Sequence, residues 1–365
     1  MPPMRPSPTT SAPPSPRPGP DGPGPRRRLT GRRIGLLMAL LVLLPVAAYT
    51  VWWWQAARAV ENGLNVWIAD QRANGAVVDH GGLAVGGFPL TLRAVLERPH
   101  MATRGAEWQG TRLVAEAPPW NPTTVALAFQ GEQRLSVVQA GQPPVDLVAP
   151  DGGRGEAVWR LSGTLERLAL RFTGLTAQVA GVPMPVAALD VGATQPGQPP
   201  DGHGTAGLTV TLSADGLTLP DGAPVALGRE VRRAELTLRV MGAPPRPEPA
   251  SLSAWSRDGG TVEVDRLALD WGPLGAVLSG TLALDAQLQP QAALTAEVRG
   301  APAVLDAVKP LMRPNEAAIA RTVLTMLARP TGPNGEPVVT APVTVQDRAL
   351  FVGPLRVAAM PRVVW

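Results

Sequence analysis

The pattern of apolar and polar positions divides the chain into one long apolar segment, one amphipathic segment and many short alternating segments. Residues 34–54 form a run of 21 residues without a charge, interrupted only by Pro45. At 1.5 Å of rise per residue, such a run forms a helix of about 31 Å, which matches the hydrocarbon thickness of a bilayer. The pattern therefore predicts a transmembrane helix over residues 34–54.

Residues 55–75 have the pattern of an amphipathic helix. The positions expected to share its apolar face are Val60, Leu64, Trp67, Ile68 and Gln71. Such a stripe follows the 3.6-residue period of a helix, and Gly75 is a typical residue just beyond a helix end. The polar face carries few Lys or Arg residues, so we expect the stripe to pack against the following sheet rather than against lipid.

After residue 75 the pattern becomes that of a β protein. Glycine and proline occur too densely for long helices, and residues 208–214, 234–240 and 278–288 alternate between apolar and polar positions. Asp-Gly or Asn-Gly pairs are predicted to form tight turns: Asp151-Gly152, Asp201-Gly202, Asp215-Gly216, Asp221-Gly222, Asp258-Gly259 and Asn334-Gly335. The alternation favours a large antiparallel sheet with one polar face.

One helical region is predicted near the C-terminus, over residues 301–329. Pro310 and Pro314 are expected to divide it into two helices, and Ile319, Val323 and Leu327 form an apolar seam. The predicted fold class is mainly β, of the α+β type: an N-terminal transmembrane helix, an amphipathic helix, one or more large curved antiparallel sheets and a C-terminal helical pair.

Charge adds an orientation to this organisation. The chain's net charge of +4 divides into +6 over residues 1–33 and −2 over the remainder. The arginines beside the apolar run are Arg26, Arg27, Arg28, Arg32 and Arg33, and the tryptophans at its other end are Trp52, Trp53 and Trp54. Basic residues flank the cytoplasmic side of membrane helices, and aromatic residues are enriched at both interfaces. We therefore expect the N-terminus in the cytoplasm and everything after Trp54 on the other side of the membrane, with residues 76–365 as a β body.

The first 33 residues have a different character. Eleven prolines lie within residues 1–25 with almost no apolar side chains, which predicts a disordered Pro/Arg-rich tail. An alternative for the apolar run is a cleaved signal peptide, since Val46-Ala47-Ala48 resembles a cleavage site. The run continues beyond Ala48 into the tryptophans, which favours an uncleaved anchor.

Candidate chemistry is sparse. The chain has no cysteine, one lysine (Lys309) and three histidines (His80, His100 and His203), none at helical metal-ligand spacing from another. Common hydrolase and phosphate-loop motifs are absent, and Glu263, Asp265, Asp270 and Asp285 are expected as solvated charges on polar strand faces. We therefore expect no enzyme activity, no metal and no cofactor. The faintly acidic body also argues against a nucleic-acid partner.

Several short motifs, in order along the chain, resemble a known bacterial family. The residues that carry the resemblance are Trp67, Gly87, Phe88, Pro89, Trp120, Asn121, Pro122, Gly272, Pro273, Gly353 and Pro354, with Trp120 where tyrosine is expected. The chain is similar, from about residue 34 onwards, to the family called domain of unknown function 2125. The resemblance implies a single-pass inner-membrane protein with a β-rich periplasmic body and no established activity.

Two further expectations concern structure. Independently of the family resemblance, Gly87 and Pro89 are expected to be structural residues at a bend. The Phe88 side chain is expected to pack inside the sheet and fill it. The last hairpin, over residues 347–355, is also similar to that of AsmA-like envelope proteins, whose curved sheets form hydrophobic grooves for lipid. That likeness concerns architecture and one hairpin alone.

The aliphatic composition leaves the function open between classes. The leading hypothesis is a membrane-anchored protein whose sheet binds lipid or another hydrophobic envelope component. The alternative is a structural or assembly partner of other envelope proteins with no ligand, whose sheet edge or helix 301–329 docks another membrane protein. The sheet face itself could form an ordinary closed core or an open groove. An unrecognised hydrolase is a remote third hypothesis.

Overall fold

The computed structural model describes residues 31–138, 142–221, 227–246, 248–308, 321–322, 328–330, 337–363 and 365. The chain divides into two units, Met1–Trp52 and Trp53–Trp365. The disorder predicted for the tail falls almost wholly on residues 1–30, outside the described residues. Three helices lie in the described part: α1 (Gly31–Ala73), α2 (Pro249–Arg257) and α3 (Ala301–Val308).

Nineteen strands account for most of the rest of the described chain, and every pairing between them is antiparallel. They are β1 (Val77–Asp79), β2 (Gly82–Gly86), β3 (Leu92–Glu97), β4 (His100–Ala102), β5 (Ala106–Ala117), β6 (Thr124–Val137), β7 (Val145–Ala149), β8 (Gly153–Trp159), β9 (Leu165–Val179), β10 (Val182–Thr194), β11 (Ala206–Thr218), β12 (Glu230–Met241), β13 (Val262–Trp271), β14 (Leu274–Leu284), β15 (Pro290–Arg299), β16 (Ala328–Pro330), β17 (Pro337–Gln346), β18 (Ala349–Val352) and β19 (Leu355–Ala359).

Helix α1 is continuous through the boundary between the predicted transmembrane and amphipathic segments. Pro45 lies inside it without ending it, and the apolar side chains of residues 36–44 are exposed. Within the described residues, α1 contains one segment, Gly35–Ala73, that is long and apolar enough to cross a membrane. The helix ends as predicted, because Gly75 adopts φ 87° and the Ala76 and Gly75 N–H groups donate to Gln71 O and Arg72 O.

The apolar stripe of α1 in the second unit begins earlier than predicted. Trp53, Ala57 and Ile68 are buried, with Val60 and Leu64 half-buried between them. Trp67 was expected on this stripe but is exposed, because it lies at the edge of the stripe away from Ile68. At the C-terminal end of the helix, Arg72 donates to Val78 O and forms an ion pair with Asp79.

The strands form one antiparallel meander, in which almost every strand pairs with its neighbours along the chain. Three strand positions are each shared by two short strands placed end to end, β1 with β2, β3 with β4, and β7 with β8. From β8 onwards the order is β9, β10, β11, β12, β13, β14, β15, β17, β18 and β19, with β16 beside β17. The predicted large antiparallel sheet is therefore confirmed.

A line of residues with positive φ crosses the first half of this sheet, and we call it the crease. Its members are Arg98 (φ 46°), Gly131 (φ 69°), Gly152 (φ 72°), Gly174 (φ 64°) and Gly216 (φ 63°). The strand registers place each member beside the next, with Thr111 of β5 and Ala187 of β10 completing the line. Aligned kinks of this kind let a sheet turn sharply across several strands.

The apolar alternation changes phase at the crease. On β9 the apolar positions are 168, 170 and 172 before Gly174 and 175, 177 and 179 after it. A regular strand would point these two sets to opposite faces. Instead, one buried cluster contains residues from both sides of the crease: Ala149, Leu175, Ala177 and Val186, packed against Leu147, Phe172, Met184, Leu189, Ala214 and Leu217. The kinks therefore bring Phe172, from before Gly174, into one cluster with Leu175 and Ala177, from after it.

Several predicted turns and ends differ from the structure. Asp215-Gly216 lies inside β11 and not in a hairpin, because its positive φ serves the crease. The alternating run 278–288 ends at Leu284, and Asp285 instead accepts hydrogen bonds from the Gln287 and Gln289 N–H groups in a turn. Of the predicted helical region, 301–308 is helical, 328–330 is a strand, and the seam at Ile319, Val323 and Leu327 lies outside the described residues.

Candidate functional site

The most extended chemical feature of the sheet is a row of apolar residues that runs across its strands. Its members lie directly opposite one another in successive strands and therefore share one face. In order they are Val85, Ala94, Ala115, Leu127, Gly155, Leu170, Val191, Leu212, Leu236, Leu267, Leu278, Ala296 and Ala341. None of these thirteen positions carries a polar side chain.

We call its central part, Leu212, Leu236, Leu267 and Leu278, the leucine row. A bulge on β13 keeps this row intact, because Val264 pairs with Leu238 and Arg266 with Thr237, leaving Asp265 as an extra residue. In a regular strand, Val264 and Leu267 would point to opposite faces, because they are three residues apart; the bulge at Asp265 places them on the same face. The bulge therefore serves the continuity of the apolar face.

The leucine row is less covered than the cluster at the crease. Leu212 is 39% exposed and Leu267 is 38% exposed, whereas Leu175 in the cluster is 4% exposed. Burial of a leucine is favourable by about 2 kcal/mol, so two leucines of one row that remain this exposed, on either side of Leu236, mark an apolar surface open to contact.

The opposite face of the same strands is a ladder of ion pairs. Its pairs include Arg233–Asp215 at 2.7 Å, Arg239–Asp265 at 2.6 Å, Arg266–Glu235 at 2.9 Å and Arg232–Asp270 at 2.6 Å. The predicted solvated carboxylates on this face thus have partners, and Glu263 accepts from Thr281. The hydrogen bonds to Asp265 raise the pKa of the Arg239 guanidinium. The sheet therefore presents one aliphatic and one ionic face.

A second candidate site is a cleft of about 780 Å³ at one end of the sheet, beside α2. Trp255 of α2 is buried at its wall and donates from Nε1 to Met241 O at 3.0 Å. His203 lies between two acceptors, Met241 O at 3.2 Å from Nδ1 and Asp258 Oδ2 at 3.0 Å from Nε2. The hydrogen bond to Asp258, followed by that to Met241 O, raises the pKa of His203. The protonated ring donates to both, so His203 fastens α2 to the end of β12.

The two other histidines lie away from this cleft. His100 forms a 3.0 Å contact with Glu107, and the hydrogen bonds of Gln109 and His100 lower the pKa of that carboxyl group. His80 is half-buried, with a buried Nδ1. Among the residues that the structure describes, no three His, Asp or Glu side chains are grouped as metal ligands.

The membrane-flanking residues predicted from sequence fall into three groups. Arg26, Arg27 and Arg28 lie outside the described residues, while Arg32 and Arg33 lie in α1. Trp52 and Trp54 are exposed, and the Arg58 guanidinium lies 4.3 Å from the centre of the Trp54 ring. Trp53 is 6% exposed; its ring contacts Phe88 at 5.4 Å and its Nε1 donates to Thr91 O. Trp53 is therefore a packing residue of the body.

The family-motif residues lie at both ends of the sheet. Gly87, Phe88 and Pro89 occupy the loop between β2 and β3, and Trp120, Asn121 and Pro122 the loop between β5 and β6. These loops are neighbours, since Leu92 pairs with Ala117. Gly272-Pro273 and Gly353-Pro354 form hairpin turns at the opposite end. The expectation that Phe88 fills the sheet is wrong, because its ring is half exposed and packs on Trp53.

Sequence reasoning missed the crease and the His203–Asp258 pair. The signal for the crease was present as the phase change at Gly174 and Gly216, two glycines inside strongly alternating segments. His203 and Asp258 are 55 residues apart, and no local pattern joins them.

Comparison with known proteins supports the resemblance to one family. No curated protein matches the chain, and no solved structure matches it. The similarity of the last hairpin to AsmA-like proteins stays a prediction. The sequence model of the family described as "Uncharacterized protein conserved in bacteria (DUF2125)" matches residues 53–361, which is most of the chain and almost all of its second unit. The chain therefore belongs to this bacterial family of uncharacterised proteins.

Proposed function

We propose that this protein is anchored in the bacterial inner membrane by α1 and uses its periplasmic sheet to bind the hydrophobic part of a lipid. The observation that carries the proposal is the leucine row, in which Leu212 and Leu267 remain about two-fifths exposed on a continuous apolar face. Acyl chains lack polar groups, so a face of aliphatic side chains without unpaired donors suits them.

Two further observations support this proposal. The apolar segment of α1 is long enough to span a bilayer, which would hold the sheet close to a source of lipid. The ion-pair ladder on the opposite face keeps that face hydrated, so lipid contact is confined to one side of the sheet. The role is non-catalytic: the sheet holds or passes on a ligand without changing it.

Site-specific photocrosslinking of the full chain in membranes tests the ligand. A photoreactive amino acid replaces Leu212 or Leu267, and the matched control replaces Thr211, which is exposed on the other face of β11. We expect crosslinks to lipid from 212 and 267 and none from 211. Equal crosslinking from all three positions, or crosslinks from 212 and 267 to a protein alone, would reject lipid binding and favour the assembly-partner alternative.

The location has its own test. An alkaline phosphatase domain fused after Trp365 is active only across the inner membrane, so the proposed topology requires an active fusion. An inactive fusion, with an active fusion before residue 31, would reverse the orientation.

A further inference from the structure

We infer that one end of the sheet is a membrane-contacting surface that dips into the interface of the bilayer to which α1 anchors the chain. We call this surface the anchor-proximal rim and define it as Phe88, Leu90, Trp120, Trp159 and Leu161. All five side chains are exposed, Leu161 by 95% and Trp120 by 71%. The inference depends on the membrane anchor of the proposed function and not on its ligand.

The topology brings these residues to one end of the sheet. They lie in or beside three loops, 87–91, 118–123 and 160–164, which follow β2, β5 and β8. Because Leu92 pairs with Ala117 and Thr124 with Val158, the three loops are successive neighbours along that end. The Trp159 N–H also donates to Thr123 O at 2.8 Å, which joins the second loop to the third.

Each loop contains hydrogen bonds of its own and leaves its large apolar side chains exposed. The Thr91 N–H and hydroxyl both donate to Gly87 O, and the Arg160 N–H donates to Thr164 O. Asn121 holds its loop through the Thr123 hydroxyl, which donates to Asn121 Oδ1, and through its own amide, which donates to Thr124 Oγ1. These bonds fix the loop backbones, so the apolar tips are held in an exposed position before any contact with a membrane.

The rim is also the end at which the chain enters the second unit. Trp53, the first residue of that unit, packs its ring on Phe88 and donates to Thr91 O in the first rim loop. The residue before it, Trp52, ends the first unit, and it lies inside the segment of α1 that is apolar enough to cross a membrane. Chain continuity therefore keeps the rim next to the point where an anchored chain leaves the bilayer.

The opposite end of the sheet provides the contrast. There the exposed large apolar residues on and beside the strand ends are valines, such as Val138 and Val182, and the described residues include no exposed aromatic side chain among them. Tryptophan and phenylalanine favour the membrane interface, where an apolar ring meets a hydrated layer. The difference between the two ends identifies a bilayer surface as the partner of the rim.

The absence of cysteine from the chain makes a direct test available, since an introduced cysteine is the only thiol. Leu161→Cys and Leu90→Cys place an environment-sensitive fluorophore on the rim, and Val182→Cys places it on an exposed position at the opposite end. Each full-length variant is reconstituted into vesicles of phosphatidylethanolamine and phosphatidylglycerol. Nitroxide-labelled lipids should quench the label at 161 and 90 several-fold more strongly than at 182, with a blue-shifted emission at the rim.

A second variant addresses the rim as a unit. In a Trp120→Gln chain labelled at position 161, quenching by nitroxide-labelled lipid should fall. The thermal unfolding temperature of this variant should equal that of the parent chain, because Trp120 is exposed. Equal quenching at 161, 90 and 182 in a chain that resists alkaline extraction would overturn the rim and leave the anchor standing. A chain that alkaline treatment extracts from the vesicles would overturn the anchor, and the rim with it.

Discussion

The buried cluster at the crease and the leucine row are both built mainly from aliphatic side chains, yet one is a core and the other is an open surface. At the crease, positive-φ residues on neighbouring strands turn the sheet, and Leu175 and Val186 are buried in a cluster drawn from both sides of the line. In the leucine row, the β13 bulge preserves the register, and Leu212 and Leu267 remain open. Backbone conformation, rather than composition, therefore decides which part of an aliphatic sheet is a core and which part is a surface.

The largest expected effect comes from removing a kink. Gly152→Ala places a Cβ against the carbonyl oxygen of Phe129 and strains a φ of 72°, so we expect a loss of more than about 3 kcal/mol of unfolding free energy. The control is Gly181→Ala, whose φ is 79° but which has open space around it. Urea unfolding of the detergent-solubilised chain should show a loss of about 1 kcal/mol for the control. Equal losses of unfolding free energy would mean that the positive φ alone causes the destabilisation, and that the close approach of Gly152 to Phe129 at the crease adds nothing.

Side-chain truncation compares the two regions directly. Leu175→Ala leaves a cavity in the buried cluster and should cost about 3 kcal/mol. Leu212→Ala removes a side chain that is already partly hydrated and should cost about 1 kcal/mol or less. The same urea unfolding measurement ranks the pair, and a Leu212→Ala loss as large as that of Leu175→Ala would show that the leucine row is a core.

The smallest expected effect is a change in the local stability of α2 with pH. This helix connects β12 and β13, two strands of the leucine row. The pKa of His203 is raised by Asp258, so the stabilisation is complete below the ordinary histidine pKa of about 6.5 and is lost as pH rises through the raised value. Amide exchange in residues 249–257, corrected for intrinsic rates, should therefore quicken with rising pH. Exchange in residues 175–179 of the crease should show no such trend.

His203→Gln supplies the control for the pH measurement, since glutamine keeps a donor but does not titrate. In this variant the corrected exchange of residues 249–257 should be independent of pH between the acidic and alkaline limits. A pH trend that survives the substitution would assign the effect to another group.

Features with a local physical cause were predictable from the sequence. The end of α1 at Gly75 follows from the glycine conformation at a helix end, and the alternation of residues 208–214 and 234–240 follows from period two in a sheet with one polar face. Asp215-Gly216 was misassigned because a hairpin turn and a kink inside a strand both require positive φ, and the dipeptide alone does not distinguish them.

Features that depend on facing partners were not predictable. Trp52, Trp53 and Trp54 are alike in sequence, but successive helix residues point about 100° apart, so only Trp53 turns towards Phe88. The exposure of Leu212 and Leu267 depends in the same way on packing between strands. The sequence could therefore predict that the candidate site is an aliphatic face. Which leucines of that face remain exposed could be learned only from the structure.

Almost every strand of the meander pairs with its neighbours along the chain, so the extent of the sheet across its strands depends on the number of hairpins. Strands lie about 4.8 Å apart, so the thirteen-position apolar row has a contour of about 58 Å, while the four leucines at its centre cover about 14 Å. A relative that gained or lost one hairpin beyond the crease would change that length by about 10 Å and leave every other pairing in place. The number of hairpins would thus set how long a hydrophobic chain the face can accommodate.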